Sequence, residues 1–320
     1  MPARPPRVRT VARNLTAALF AALTAPTAAA LAQGPSRGTA PATPVMRADR
    51  IASTDWLATR LDDPSVIVVE ITRTDSARAA TIPGARALAY RRFVERRDSL
   101  STEVPSLDSL RTLVEGLGIS DDSHVVVYAA EAPMATRFLL SLHLLGLERV
   151  SYLDGGLPKW RAEGRPVARD DANTSRAIAR GRITPAPRLE TIVTAPWLDA
   201  RVGRPGLSLI DTRTTGEYTG TGNRSGMPSA GHLEGARQLE WEQMFEPDAP
   251  LTLKSREALR ALFSERVTPG DTVVTYCWVG YRASATWFMA HALGYDALFY
   301  DGSYQDWQRR QGPTRAGVQP

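Results

Sequence analysis

The sequence predicts an α/β protein of two similar domains, each a mainly parallel sheet flanked by helices. Three observations carry this expectation. Apolar runs such as Val66-Ile67-Val68-Val69 and Val125-Val126-Val127 are continuous rather than alternating, as strands covered on both faces are. Helical stretches, among them residues 107–117 and 255–263, alternate with these runs. The chain also repeats itself, and its 320 residues exceed the usual size of one domain.

The elements follow in chain order. Arg4, Arg7, Arg9 and Arg13 precede a run rich in Ala, Leu and Thr, and Ala30-Leu31-Ala32 fits a cleavage site, so residues 1–32 read as an export signal. Pro26 interrupts that run and makes an uncleaved anchor the less favoured reading. The expected location is therefore exported, periplasmic or secreted. Residues 33–45, rich in Pro, Gly, Ser and Thr, form a flexible lead-in. The first domain spans 46–165, a linker without periodicity spans 166–189, the second domain spans 190–312 and a tail spans 313–320. Within the domains, Val125-Val126-Val127-Tyr128 is followed by Gly146, Asp154-Gly155-Gly156 and Trp160. Val273-Val274-Thr275-Tyr276 is followed at matching spacing by Gly294, Asp301-Gly302-Ser303 and Trp307. Upstream, Glu70 ends one apolar run as Asp211 ends its counterpart, and Ile82-Pro83-Gly84-Ala85 matches Leu233-Glu234-Gly235-Ala236.

Charge and cysteine usage exclude several classes. Four of the 39 Lys and Arg fall in residues 1–32, leaving 35 against 34 acidic residues in the remainder. That balance gives no case for a nucleic-acid partner, or for a membrane partner once the signal is removed. A single Cys cannot form an internal disulfide or a multi-cysteine zinc site. His124, His143, His232 and His291 show no ligand spacing, so neither a metal nor an organic cofactor is expected.

The single cysteine, Cys277, is the candidate nucleophile. It follows the strand Val273-Val274-Thr275-Tyr276 and opens the loop Cys277-Trp278-Val279-Gly280-Tyr281-Arg282 before a helical stretch at 283–292. A thiol placed there meets unpaired N–H groups and the positive end of a helix, and Arg282 adds a cation; both favour the thiolate. Gly280 supplies the backbone freedom the loop needs. Opposite these residues the first repeat carries Ala129, Ala132 and Met134, so it keeps the fold signals and loses the chemical ones.

These motifs resemble the tandem-domain rhodanese family, the thiosulfate/3-mercaptopyruvate sulfurtransferase group. The resemblance rests on Asp211-Thr212-Arg213 with Glu217-Tyr218, on Gly231-His232-Leu233-Glu234-Gly235-Ala236, on the Cys277 loop and on Tyr300-Asp301-Gly302-Ser303. It implies two rhodanese-like domains, the first inactive. It also implies that Cys277 takes a sulfur from a small anionic donor as a persulfide and passes it to a thiol or cyanide acceptor. The N–H groups around Trp278, Val279, Gly280, Tyr281 and Arg282 would hold the transferred sulfur. Arg213 follows the end of the strand Leu207–Asp211, at the edge where parallel sheets bind ligands; it either meets the donor or pairs with Glu217 to fix the turn, and the pair is the favoured reading. Arg224, in the loop 219–231, is a further candidate anion contact.

Trp278 either shields the persulfide or packs between domains. His232, Asp154, Asp301, Trp160 and Trp307 are expected to serve the fold; Glu131 either faces Cys277 across the interface or, the favoured reading, is a solvated surface carboxylate. Thiosulfate is the expected donor. Mercaptopyruvate-type members carry an uncharged loop, and an Arg where this chain has Glu217. A cysteine phosphatase would need five residues between Cys and Arg, whereas four separate Cys277 from Arg282. A non-catalytic exported sulfur carrier or anion-binding protein is the alternative from another class.

Overall fold

Each buried apolar run becomes the centre of a parallel sheet. The computed structural model describes residue 1 and residues 47–75, 80–169, 178–222 and 231–320. Apart from Met1, the stretches expected to be an export signal and a lead-in, and Arg224 as well, lie outside these described residues. The first half supplies β1 (Ile51–Ala52), β2 (Val66–Thr72), β3 (Arg86–Ala89), β4 (Glu95–Arg97), β5 (Leu100–Glu103), β6 (His124–Ala129) and β7 (Val150–Leu153). The second half supplies β8 (Ile192–Val193), β9 (Leu207–Asp211), β10 (His232–Leu233), β11 (Ala236–Gln238), β12 (Phe245–Glu246) and β13 (Ala249–Leu253). It continues with β14 (Thr272–Tyr276), β15 (Ala297–Tyr300) and β16 (Thr314–Arg315).

One sheet runs β1-β7-β6-β2-β3 and the other β8-β15-β14-β9-β11, with every neighbour parallel. Strand for strand the two orders are the same, so the repeat in sequence is a repeat of topology. An antiparallel hairpin follows the edge strand in each half, β4–β5 after β3 and β12–β13 after β11. Both sheets belong to one compact unit, residues 40–320.

The central strands explain their composition. Val125, Val126, Val127, Val273 and Val274 are all fully covered, which a continuous β-branched run suits. The helix Ala132–Leu144 is buried along its whole length and packs against the helix Ala283–Ala292. A helix covered on all sides needs no polar face. The hydroxyls of Thr136 and Ser284 meet at 2.9 Å in this contact and satisfy one another. The described part of the linker is not slack. Gly181 donates its N–H to Glu115 O at 2.8 Å, Arg188 donates to Leu144 O at 3.0 Å, and Ile183 is buried.

Both halves contain the same polar knot. Tyr276 donates its hydroxyl to Asp211 at 2.7 Å and accepts the Leu233 N–H. In the first half, Tyr128 donates to Glu70 at 2.8 Å and accepts the Ile82 N–H. The knot survives where the nucleophile is absent, so its job is to join strand ends to the following turn.

Candidate functional site

Cys277 stands one residue past β14, at the carboxyl edge of the second sheet. The start of the helix Ser303–Arg309 holds it there. Cys277 N–H donates to Ser303 Oγ at 3.3 Å, and Tyr304 N–H donates to Cys277 O at 3.0 Å. Gln305 N–H then takes Trp278 O at 2.9 Å. With its first two carbonyls anchored, the loop turns at Gly280, where φ is +78°. A Cβ on Gly280 would stand 3.0 Å from Asp301 O and 3.1 Å from Phe299 Cζ, so the positive φ favours glycine and a side chain would crowd its neighbours as well. Among the described residues, none of the N–H groups from Trp278 through Ala283 has a protein acceptor. Consecutive unpaired amides at a helix start make a concave site for negative charge.

The thiol itself is fully covered among the described residues, and its side chain belongs to the apolar cluster shared by the two halves. Tyr281 and Tyr90 pack against that cluster, 5.5 Å apart and edge to face. Trp278 packs within the second half against Tyr304, at 5.2 Å, and not between domains.

Arg282 does not offer a free cation. Its two terminal nitrogens bind both oxygens of Glu217 at 2.7 and 2.8 Å, a bidentate pair. Glu217 is also the third residue of the helix Thr215–Thr219 and closes a capping box with Thr214. Burial pushes the Glu217 carboxyl up, but Arg282 and the bonds from Thr214 outweigh it and hold it at about 2. Burial opposes the charge on Arg282, while Glu217 and Cys277 together raise its pKa above the ordinary value.

Two expectations for Arg213 are corrected. It neither faces a donor nor pairs with Glu217. It is fully buried, with Nε and Nη2 on Asp211, Nη2 also on Gly231 O at 2.7 Å, and its guanidinium 3.9 Å from the Tyr304 ring centroid. Asp211 lies two residues away and is itself buried, so it outcompetes the more distant Glu217 for this charge. Arg224, outside the described residues, is not placed. His232 is structural: its two ring nitrogens lie 2.8 and 2.9 Å from the carbonyls of Tyr218 and Gln319, and its ring stacks on Tyr218.

The first half reaches into the loop in ways that spacing did not reveal. Thr102 on β5 donates its hydroxyl to Val279 O. Tyr281 donates its hydroxyl to Glu131 at 2.8 Å, and Arg73 bonds the other Glu131 oxygen. Glu131 is therefore a clamp on the cysteine loop rather than a solvated surface carboxylate. Asp301 binds Arg137 at 2.6 Å and the Val104 N–H at 2.8 Å, both from the first half. Asp154 returns the favour by accepting the Leu253 N–H at 2.8 Å. Each hairpin thus docks on the Asp-Gly turn of the other half. The recurrence of Asp154 and Asp301 was the signal available in sequence; their partners were not.

Among the described residues no group of His, Cys, Asp and Glu is arranged to hold a metal ion. What the loop offers is one sulfur nucleophile, a row of unengaged amides and a neutralised ion pair at its far end.

Comparison with known proteins places this arrangement. The rhodanese-like domain family matches residues 53–163 and 194–310. A thiosulfate sulfurtransferase of Azotobacter vinelandii is 31% identical over 253 residues, covering 78% of this chain and 91% of that protein. The sulfur carrier protein TtuD of Thermus thermophilus is 30% identical over 277 residues, covering 80% and 93%. The crystal structure of SseA from Escherichia coli, a 3-mercaptopyruvate sulfotransferase, superposes with a TM-score of 0.67 at 21% identity, covering 79% of this chain and 98% of that one.

Proposed function

Because this chain belongs to the rhodanese-like domain family and is a sulfurtransferase, we propose that it moves sulfane sulfur from thiosulfate to a nucleophilic acceptor through a persulfide on Cys277. The observation that carries this reading is the run of N–H groups from Trp278 through Ala283, behind a single cysteine, that have no acceptor among the described residues. The Cys277 thiolate attacks the outer sulfur of thiosulfate. A sulfur–sulfur bond forms as the donor's own breaks, and sulfite leaves with the electron pair. The terminal persulfide sulfur, now bearing charge, is held by the loop amides. A cyanide or thiol acceptor then attacks that sulfur and returns Cys277 as thiolate, an exchange of the ping-pong kind.

Thiosulfate is preferred to mercaptopyruvate on two grounds. The relatives at about 30% identity include thiosulfate sulfurtransferases, whereas the mercaptopyruvate-type protein shares the fold at 21%. Glu217 also occupies Arg282, which leaves no free cation there for a keto-acid carboxylate. Similarity to a sulfur carrier supports a second reading, in which the chain loads once and waits for a partner protein. Steady sulfite release from thiosulfate and cyanide, absent in Cys277→Ser, is the expected result. A single stoichiometric release without turnover would transfer the assignment to the carrier. Export to the periplasm or beyond is proposed as well, on the basic start and apolar run of residues 1–32; finding the full-length chain in the cytoplasmic fraction would contradict it.

A further inference from the structure

Thiosulfate carries negative charge, and the enclosed arginines around the cysteine loop are poorly placed to meet it. Arg282 is spent on Glu217, Arg213 on Asp211 and Arg137 on Asp301, with arginine side chains 12%, 0% and 1% exposed. Arg73 differs. It stands one residue past β2, is 70% exposed, and bonds one oxygen of Glu131. The other Glu131 oxygen accepts the Tyr281 hydroxyl at 2.8 Å. Tyr281 is the fourth residue after Cys277 and packs on the apolar cluster that contains the thiol. A line of contacts therefore runs from solvent through Arg73, Glu131 and Tyr281 to the wall around the nucleophile.

Topology gives an independent reason to look there. In the first sheet β2 leads to β3 on one side and β6 leads to β7 on the other, so the connections diverge between β2 and β6. Open parallel sheets bind ligands outside the carboxyl ends of their strands at such a point. Arg73 follows β2 and Glu131 follows β6 at this place. The first half lacks the nucleophile yet carries a charged pair here, tied to the cysteine loop of the second half. An exposed ion pair is weak in water, so Arg73 can exchange the Glu131 oxygen for another anion at small cost. A guanidinium fork matches two oxygens of a sulfonate as it matches a carboxylate.

We propose that Arg73 of the first half binds the sulfonate end of thiosulfate, exchanging Glu131 for the donor and leaving the outer sulfur toward Cys277. Donor recognition then belongs to the half without the nucleophile, and sulfur transfer to the half that has one. The proposal deepens the thiosulfate reading and rests on it for the identity of the anion.

The test compares two alkylating reagents of similar shape and different charge, iodoacetate and iodoacetamide, on the full chain, whose single cysteine fixes the site of reaction. Arg73→Gln is expected to lower the ratio of the iodoacetate to the iodoacetamide rate constant roughly tenfold, the loss of one charge-assisted contact. Arg73→Lys should restore most of it. If Arg73 served only to hold Glu131 and Tyr281, both reagents would shift together and the ratio would stay at its wild-type value, which overturns the proposal. Both rates are taken on the same protein, so a variant that melts early is still read by its ratio. In steady-state transfer, the KM for thiosulfate should rise roughly tenfold in Arg73→Gln while most of kcat is kept, the mark of lost binding. An unchanged KM counts against the contact. Alkylation needs no sulfur donor, so the anion site is judged separately from the transfer. A wild-type protein whose preference for iodoacetate depends on Arg73, yet which releases no sulfite from thiosulfate, would sink the thiosulfate reading alone.

Discussion

Glu217 and Arg282 form a mostly buried ion pair beside the nucleophile. The carboxylate caps the helix Thr215–Thr219 and neutralises the arginine that closes the cysteine loop. Removing one partner leaves the other charged and nearly enclosed, so Arg282→Ala should destabilise the fold by about 3 kcal/mol in urea unfolding. Its pH dependence follows from the sign of the shift. The folded pKa of Glu217 is depressed, so the pair's contribution is present above the usual Glu range and is lost as pH falls toward about 2. The wild type should show that acid limb in melts across pH, and Arg282→Ala should flatten it; identical acid limbs would contradict the pairing. Sequence marked Arg282 as a cation beside the thiol and gave Glu217 to Arg213. The exchange of partners was illegible because Glu217 and Arg282 are 65 positions apart, and because the adjacency of Asp211 and Arg213 in one motif does not by itself say that their side chains pair.

The cysteine loop was the element most legible in sequence. Strand, loop, glycine and helix are adjacent in the chain, and their geometry is set by local rules. Gly280 shows how tightly: its φ of +78° and a 3.0 Å approach to Asp301 O strain any side chain placed there. Gly280→Ala should cost about 2 kcal/mol of stability through backbone strain. It should slow sulfur loading by roughly a hundredfold, the order seen when an anion-stabilising amide is misplaced. Loading at the wild-type rate in a folded Gly280→Ala protein would mean that the amides of the loop do not hold the transferred atom. The hairpin β4–β5, by contrast, gave no warning of its role. Thr102 and Val104 are ordinary strand-edge residues, and only folding brings them to Val279 and Asp301.

At the scale of the whole molecule, two copies of one sheet have divided the work. The repeat could be read directly, down to the matched Asp-Gly turns, because it is written in spacing. How the copies meet could not, since contacts across a pseudo-symmetric interface leave no periodic trace. That interface carries a pH-sensitive group in Glu103, nearly buried at the end of β5. Burial and then Asp301 push its carboxyl up to about 7, against the pull of Arg137 and Arg97. A carboxyl raised in the folded state binds its proton more tightly there. Its contribution to stability is therefore full below the ordinary Glu range and is lost as pH rises toward about 7. Glu103→Gln should remove that slope from the melting temperature while sparing the acid limb owed to Glu217; an unaltered slope would place the proton elsewhere.

The account turns on where the sulfur goes. The most direct measurement is the mass of the proteolytic peptide carrying Cys277 after the whole protein has been treated with thiosulfate, and again after cyanide. The predicted result is a gain of one sulfur atom on that peptide, erased by cyanide and absent in Cys277→Ser. Sulfite release with no added mass at Cys277, or the same added mass in the serine variant, would contradict it.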